Sequence, residues 1–183
     1  MASGAVFLDR DNTLILNDGD LGDPDAVRLI DGVASALARL GGAGWRLVVV
    51  SNQGGVARGR YTERDVEAVN SRIAQLIDEQ AGTRGLIDRF YWCPYHPDGT
   101  VDRYRRDHLW RKPQPGMLLQ ASRDMDIDLQ QSWMIGDQPR DVEAGQAAGC
   151  RTILIGAADD RADVVVGTLS EAVHVILHEG HSP

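Results

Sequence analysis

The chain has 183 residues, 27 acidic against 19 basic, for a formal net charge of −8. That length suits one domain with a sizeable core, and the acidic balance argues against tight binding of nucleic acid or an anionic membrane, whose phosphates reward basic surfaces. Two cysteines, Cys93 and Cys150, make no disulfide framework, no charged leader precedes the first apolar run, and no run approaches membrane-spanning length, so a reducing, cytoplasmic setting is expected.

Ala5-Val6-Phe7-Leu8 reads as a buried first strand, and Asp9-Arg-Asp11-Asn-Thr13 follows it directly. Ile30 to about Leu40 reads as a helix with Val33, Leu37 and Leu40 on its apolar side, stopped by Gly41-Gly42. Arg46 to Val50 is a nearly continuous apolar second strand, of the kind buried on both faces of a parallel sheet. Thr62 caps the longest helix, which runs to Gln80 with Val66, Val69, Ile73, Leu76 and Ile77 in its stripe. A third strand over Leu86 to Trp92, a helix from Gly116 to about Met125 and a fourth strand over Ser132 to Ile135 follow. Next come a helix from Arg140 to about Ala148 closed by Gly149, a fifth strand over Thr152 to Ile155, and a short sixth over Val164 to Val166. A last helix spans Ser170 to His178, and the tail from about 179 to 183 is expected to fray. Strands alternating with helices specify an α/β class, a Rossmann-like three-layer fold with a mostly parallel sheet and a single domain over 1–183.

Chemistry in open α/β sheets gathers at the carboxyl ends of strands. Asp9 and Asp11 can divide the labour of phosphoryl transfer there, one attacking phosphorus and the other moving protons, with a divalent cation screening the nucleophile from its anionic target. Alone, Asp-x-Asp reads sooner as a loop of solvated acids with a capping threonine, and the later segments overturn that. The second strand ends in Ser51-Asn52-Gln53-Gly54-Gly55, which suits a phosphate cradle or an ordinary glycine turn. Gly136-Asp137, with Asp141 shortly after, supplies a helix cap or the third carboxylate of a hard-metal site with Asp9 and Asp11. Lys112, in Arg111-Lys112-Pro113, is either a solvated loop cation or a group that binds a transferring phosphoryl.

The order of these segments resembles the haloacid dehalogenase superfamily of phosphotransferases over almost the whole chain. Longer runs look like D-glycero-D-manno-heptose 1,7-bisphosphate phosphatases, with histidinol-phosphate phosphatases as close relatives: Phe7-Leu-Asp-Arg-Asp11, Val48-Val-Val-Ser-Asn-Gln53, Val56-Ala-Arg-Gly59, Cys93-Pro94 and Arg111-Lys-Pro-Gln-Pro-Gly-Met117. The resemblance implies Asp9 as a nucleophile forming an aspartyl-phosphate and Asp11 as the acid and then the base. It implies Mg2+ held by the Asp9 carboxylate, the Asp11 carbonyl and the Asp137 carboxylate. Ser51 and Lys112 would hold phosphoryl oxygens, Thr13 would brace the nucleophile loop with Asp141 in support, and Arg111 with the Gln53 to Val56 loop would meet the sugar or its second phosphate.

Three positions depart from the pattern. The relatives carry a zinc loop, but here only Cys93 remains of the expected thiolates; Tyr95, His108 and Trp110 occupy the other three positions. Cys93, His96 and His108, with Asp107, offer a partial replacement. The expectation is instead a loop without zinc, held by Tyr91, Trp92, Tyr95, Tyr104 and Trp110. Gln138 stands where heptose phosphatases often have lysine, and Asn12 replaces a glycine, a change that asparagine's tolerance of left-handed backbone makes mild. Neither inter-motif interval has room for a separate cap domain, so loops near Leu16–Asp25, Gly54–Tyr61 and Cys93–Trp110 should gate the site. The expected protein is a monomeric Mg2+-dependent phosphatase of a small phosphorylated sugar, with heptose 1,7-bisphosphate leading and histidinol phosphate or another sugar phosphate next. A receiver-like signalling module is the alternative of another class, disfavoured because its phosphoacceptor would follow the third strand. No Gly-x-Gly-x-x-Gly follows a strand, which argues against dinucleotide binding.

Overall fold

The computed structural model describes residues 3–156 and 160–179, so the tail beyond Glu179 lies outside the described residues. At its centre is β1 (Ala5–Leu8), whose four buried side chains alternate between two cores, as a strand's period of two requires. Val6 and Leu8 pack with α1 (Val33–Gly42), α2 (Glu63–Ala81) and α5 (Leu169–Glu179). Ala5 and Phe7 pack on the opposite face with α3 (Gly116–Met125) and α4 (Pro139–Ala148). β2 (Arg46–Asn52) divides in the same way, Leu47 and Val49 to one side and Val48 and Val50 to the other. Burial on both faces is why these strands read as unbroken apolar runs.

The sheet has six parallel strands in the order β3-β2-β1-β4-β5-β6, where β3 is Arg89–Cys93, β4 Trp133–Gly136, β5 Arg151–Ile155 and β6 Val164–Val166. The chain builds outward from β1 to β3, then returns to the other side of β1 for β4. Such a reversal opens a crevice at the strands' carboxyl ends. Asp9 and Asp137 directly follow the two strands that flank it. Between β1 and α1 the only helical element is the short turn Pro24–Ala26, and between β3 and α3 only Asp102–Tyr104, so neither interval holds a cap domain. No helix among the described residues is long and apolar enough to cross a membrane.

Two elements, α1 and β3, differ most from the limits expected of them, for local reasons. α1 begins at Val33 because Gly32, at φ 83°, turns the chain immediately before it and leaves Ile30 outside. It continues through Gly41 and Gly42 instead of stopping there; a Cβ on Gly41 would lie 2.7 Å from Leu86 Cδ1, so the glycine admits a close approach. β3 starts at Arg89, not Leu86, because the Asp88 carboxylate accepts from the Leu47 N–H at 2.7 Å and closes the ladder there. α2 keeps its expected cap: the Thr62 hydroxyl accepts from the Asp65 N–H and the Asp65 carboxylate accepts from the Thr62 N–H.

Candidate active site

The place of Asp9 is set by sheet pairing. The Asp9 N–H donates to the Ile135 carbonyl of β4 at 2.8 Å, which carries the ladder one residue past β1 and brings the two loops together. The Asp9 carboxylate is buried, with Lys112 Nζ 2.6 Å from its Oδ1. The same ammonium lies 2.6 Å from Asp141 Oδ1 and donates to the Val50 carbonyl at 2.8 Å. Lys112 is held there by Asn52, whose Oδ1 accepts from the Lys112 N–H and whose Nδ2 donates to the Lys112 carbonyl, each at 2.9 Å. Asn52, expected among the substrate contacts, therefore commits its amide to placing the lysine. Burial pushes the Asp9 carboxyl up to about 7; the Lys112 charge opposes this, while the Asp141 and Asp11 charges add to it. Burial alone would pull Lys112 down, but the two carboxylates outweigh it and raise its affinity for the proton.

Asp11 occupies a different environment, built around a residue the sequence reading passed over. Arg10 is fully buried; its guanidinium bonds the Asp11 carboxylate at 3.0 Å, Gln53 Oε1 at 2.9 Å and Asn70 Oδ1 at 3.2 Å. Asn17 Nδ2 and Gln53 Nε2 also donate to Asp11, at 2.6 and 3.0 Å, and Ser51 Oγ lies 3.3 Å away. Burial would raise the Asp11 carboxyl, but the Arg10 charge and these donors overcome it and hold Asp11 below the usual carboxylate range. Two acids two residues apart thus have proton affinities shifted in opposite directions, Asp9 up and Asp11 down. Asn12 between them adopts φ 58°, the left-handed backbone expected of it. The Thr13 hydroxyl is buried and has no hydrogen-bond partner, so it makes no hydrogen-bonded brace among the described residues.

Asp9, Asp137 and Asp141 each bring a carboxylate oxygen within 4.8 Å of the others, the one such grouping of three possible ligands among the described residues. The Asp11 side chain is engaged by Arg10, which leaves its backbone carbonyl as the group it can offer a cation, and the third carboxylate near Asp9 and Asp137 is that of Asp141. Asp141 also caps α4, its Oδ2 accepting from the Gln138 N–H at 3.1 Å. A Cβ at Gly136 would fall 2.3 Å from that same Oδ2, so Gly136 has to be glycine for Asp141 to fold inward. An all-oxygen donor set of clustered carboxylates fits a hard cation such as Mg2+.

Adjoining this acidic centre is a cavity of about 340 Å³ whose wall includes Asp11, Asn52, Gln53 and Gly54, and also Arg58, Arg111 and Arg140. Of these arginines only Arg111 was anticipated. Burial and the like charges of Arg140 and Arg58 make Arg111 hold its proton less tightly than usual. Gly55 admits the Tyr61 ring, 2.3 Å from where a Cβ would be, and the Tyr61 hydroxyl donates to Gln53 Oε1 at 2.8 Å. Val56, expected at the substrate, instead packs in an apolar cluster with Ala57, Val66 and Tyr104; an apolar side chain beside this cavity gains more by joining the core.

The long loop after β3 is organised by rings. Tyr95 stacks on His108 with centroids 4.3 Å apart, Arg106 covers the Tyr95 ring at 4.3 Å, and Trp110 meets Tyr91 edge-on at 6.1 Å. His96 Nδ1 and His108 Nδ1 each accept a backbone N–H at 3.1 Å, from Asp98 and Trp110. Cys93 is buried, and burial pushes its thiol up. Cys93, His96 and His108 do not converge into a three-ligand group among the described residues.

A family model described as HAD-hydrolase-like matches residues 109–176. The D-glycero-beta-D-manno-heptose-1,7-bisphosphate 7-phosphatase of Photorhabdus laumondii is 37% identical over 91% of this chain and 92% of its own length. That of Escherichia coli K12 is 37% identical over 94% and 93%. The crystal structure of D,D-heptose 1,7-bisphosphate phosphatase from B. bronchiseptica, complexed with magnesium and phosphate, superposes with a TM-score of 0.82 at 28% identity, covering 96% of this chain and 99% of that one.

Proposed function

Because this chain belongs to the haloacid dehalogenase superfamily, among the relatives of the heptose-bisphosphate phosphatases, we propose that it hydrolyses the 7-phosphate of D-glycero-D-manno-heptose 1,7-bisphosphate. It is a phosphomonoester hydrolase, which sets aside the receiver-like reading. The observation that carries the substrate is the pairing of an acid–lysine centre for one phosphate with an adjoining cavity walled by three arginines for another.

Asp9 attacks phosphorus and becomes the aspartyl-phosphate. Lys112 Nζ, already 2.6 Å from Asp9 Oδ1, turns one N–H to the phosphoryl oxygen as the carboxylate is consumed and so stabilises the charge that develops there. Ser51, buried beside Asp11, offers its hydroxyl to a second oxygen. Asp11, held as a carboxylate in the free chain, gains proton affinity when a phosphate dianion arrives beside it; it protonates the leaving sugar oxygen and then draws the proton from the hydrolytic water. Asp9 and Asp137, with the Asp11 carbonyl, would hold Mg2+, while Asp141 stays with Lys112. When bound, the ion neutralises charge between the nucleophile and its anionic target.

Phosphate release across heptose 1,7-bisphosphate, heptose 7-phosphate and histidinol phosphate tests the assignment: the bisphosphate should have the highest kcat/KM, and a preference for histidinol phosphate would replace it. Turnover should vanish with a chelator and return with Mg2+. Asp137→Ala should raise the Mg2+ concentration needed for half-maximal activity by about tenfold or more, since one of few anionic ligands is lost; undiminished activity in a metal-free preparation would rule the metal out.

The ring-packed loop serves without zinc. Elemental analysis should find no stoichiometric zinc, Cys93→Ser should leave turnover near its original level, and Trp110→Ala should raise KM by freeing Tyr91 and His108 from their edge contacts. About one zinc per chain, lost on Cys93→Ser, would show that His96, His108 or Asp107 completes a site.

A further inference from the structure

We propose that Arg140 determines specificity by binding the second, non-reacting phosphate of the sugar bisphosphate, an inference that rests on the bisphosphate reading above. Arg140 sits in the first turn of α4, next to Pro139. A helix N-terminus carries partial positive charge, so a cation there opposes the helix dipole. Its charge also bears on Arg111, whose proton is already held less tightly than usual. The arginine is thus placed against two sources of like charge.

The local countercharges do not answer it. Arg58 is 2.9 Å from the Asp20 carboxylate, and Arg60 lies 3.8 Å from the same group. Arg111 reaches the Tyr95 carbonyl at 3.4 Å. The Asp11 carboxylate, also in the cavity wall, is bonded to Arg10. The Arg140 side chain has neither an ion-pair nor a hydrogen-bond partner among the described residues. In a chain of net charge −8, this cavity of about 340 Å³ therefore presents two guanidinium groups, Arg111 and Arg140, that make no ion pair among the described residues. A phosphate dianion relieves both repulsions at once, and the planar guanidinium suits its oxygens better than a lysine would. The cavity wall contains Asn52, which grips the Lys112 backbone, and Asp11, two residues beyond Asp9, so a sugar held by its reacting phosphate at Asp9 can extend its other end into the cavity toward Arg140.

The test compares heptose 1,7-bisphosphate with heptose 7-phosphate, which has the same reacting group and lacks the second phosphate. The ratio of their kcat/KM values should fall about tenfold or more in Arg140→Ala, as expected for loss of a charge-assisted hydrogen bond, and recover in part in Arg140→Lys. In phosphate-free buffer Arg140→Ala should melt at or above the temperature of the parent, because a cation is removed from a helix N-terminus. A parent that prefers the bisphosphate and a variant that keeps the whole preference would overturn the role of Arg140 alone. A parent without any preference would overturn the second-phosphate reading and this role with it. A clear drop in melting temperature would mark Arg140 as structural and overturn the proposal too.

Discussion

Asp9→Asn is expected to lower phosphate release by at least about a thousandfold, to the level that binding and the remaining donors sustain without a nucleophile. The amide is nearly the same size as the carboxylate but cannot form the acyl-phosphate. The fold should survive the change. Lys112 keeps Asp141 at 2.6 Å and the Val50 carbonyl at 2.8 Å, so its charge stays answered, and the Asp9 N–H bond to Ile135 uses the backbone alone. Substrate should still bind, now without turnover, and the purified variant should melt close to the parent. Substantial turnover by a variant shown by mass spectrometry to carry asparagine would remove Asp9 from its role.

Lys112→Met is expected to damage stability as well as activity. It removes the one ammonium that lies between Asp9 and Asp141, which are 5% and 1% exposed. Taking one partner from a buried pair leaves uncompensated charge, and the cost is about 3–5 kcal/mol. The sign of its pH dependence follows from Asp9, whose carboxyl stands near about 7 in the fold against 3.8 in the open chain. A raised carboxyl favours the folded state at low pH, and that contribution is lost as pH rises through its folded value. Without Lys112 the value rises further, so denaturant melts should show a larger deficit at about pH 8 than at about pH 5. An equal deficit at both would mean that the loss comes from packing of the side chain rather than from charge.

The sequence and the structure agree most closely where local chemistry leaves little choice. β1 and α3 have the expected limits, and Asp9, Asp137 and Lys112 meet at one centre as anticipated. Other placements follow from the fold rather than from the chain. Val56 and Asn52 were read from their neighbourhood in the chain, but one joins an apolar cluster and the other grips the Lys112 backbone. Arg10 lies between two acids and was passed over, though it is the fully buried hub that sets the charge of Asp11. An arginine next to a buried strand, flanked by two carboxylates, was the available clue.

The sequence by itself determined the strand alternation, the family and the acids of the centre, because periodicity, glycine and proline placement and short motifs act over a few residues. Only the tertiary structure decided which acid belongs to which cation. Lys112 to Asp141, Arg58 to Asp20, and Arg10 joined through Gln53 and Asn70 as well as Asp11 are outcomes of distances across the fold, not along the chain. Charge interactions fall with separation in space and strengthen with burial, and neither quantity is written in sequence spacing.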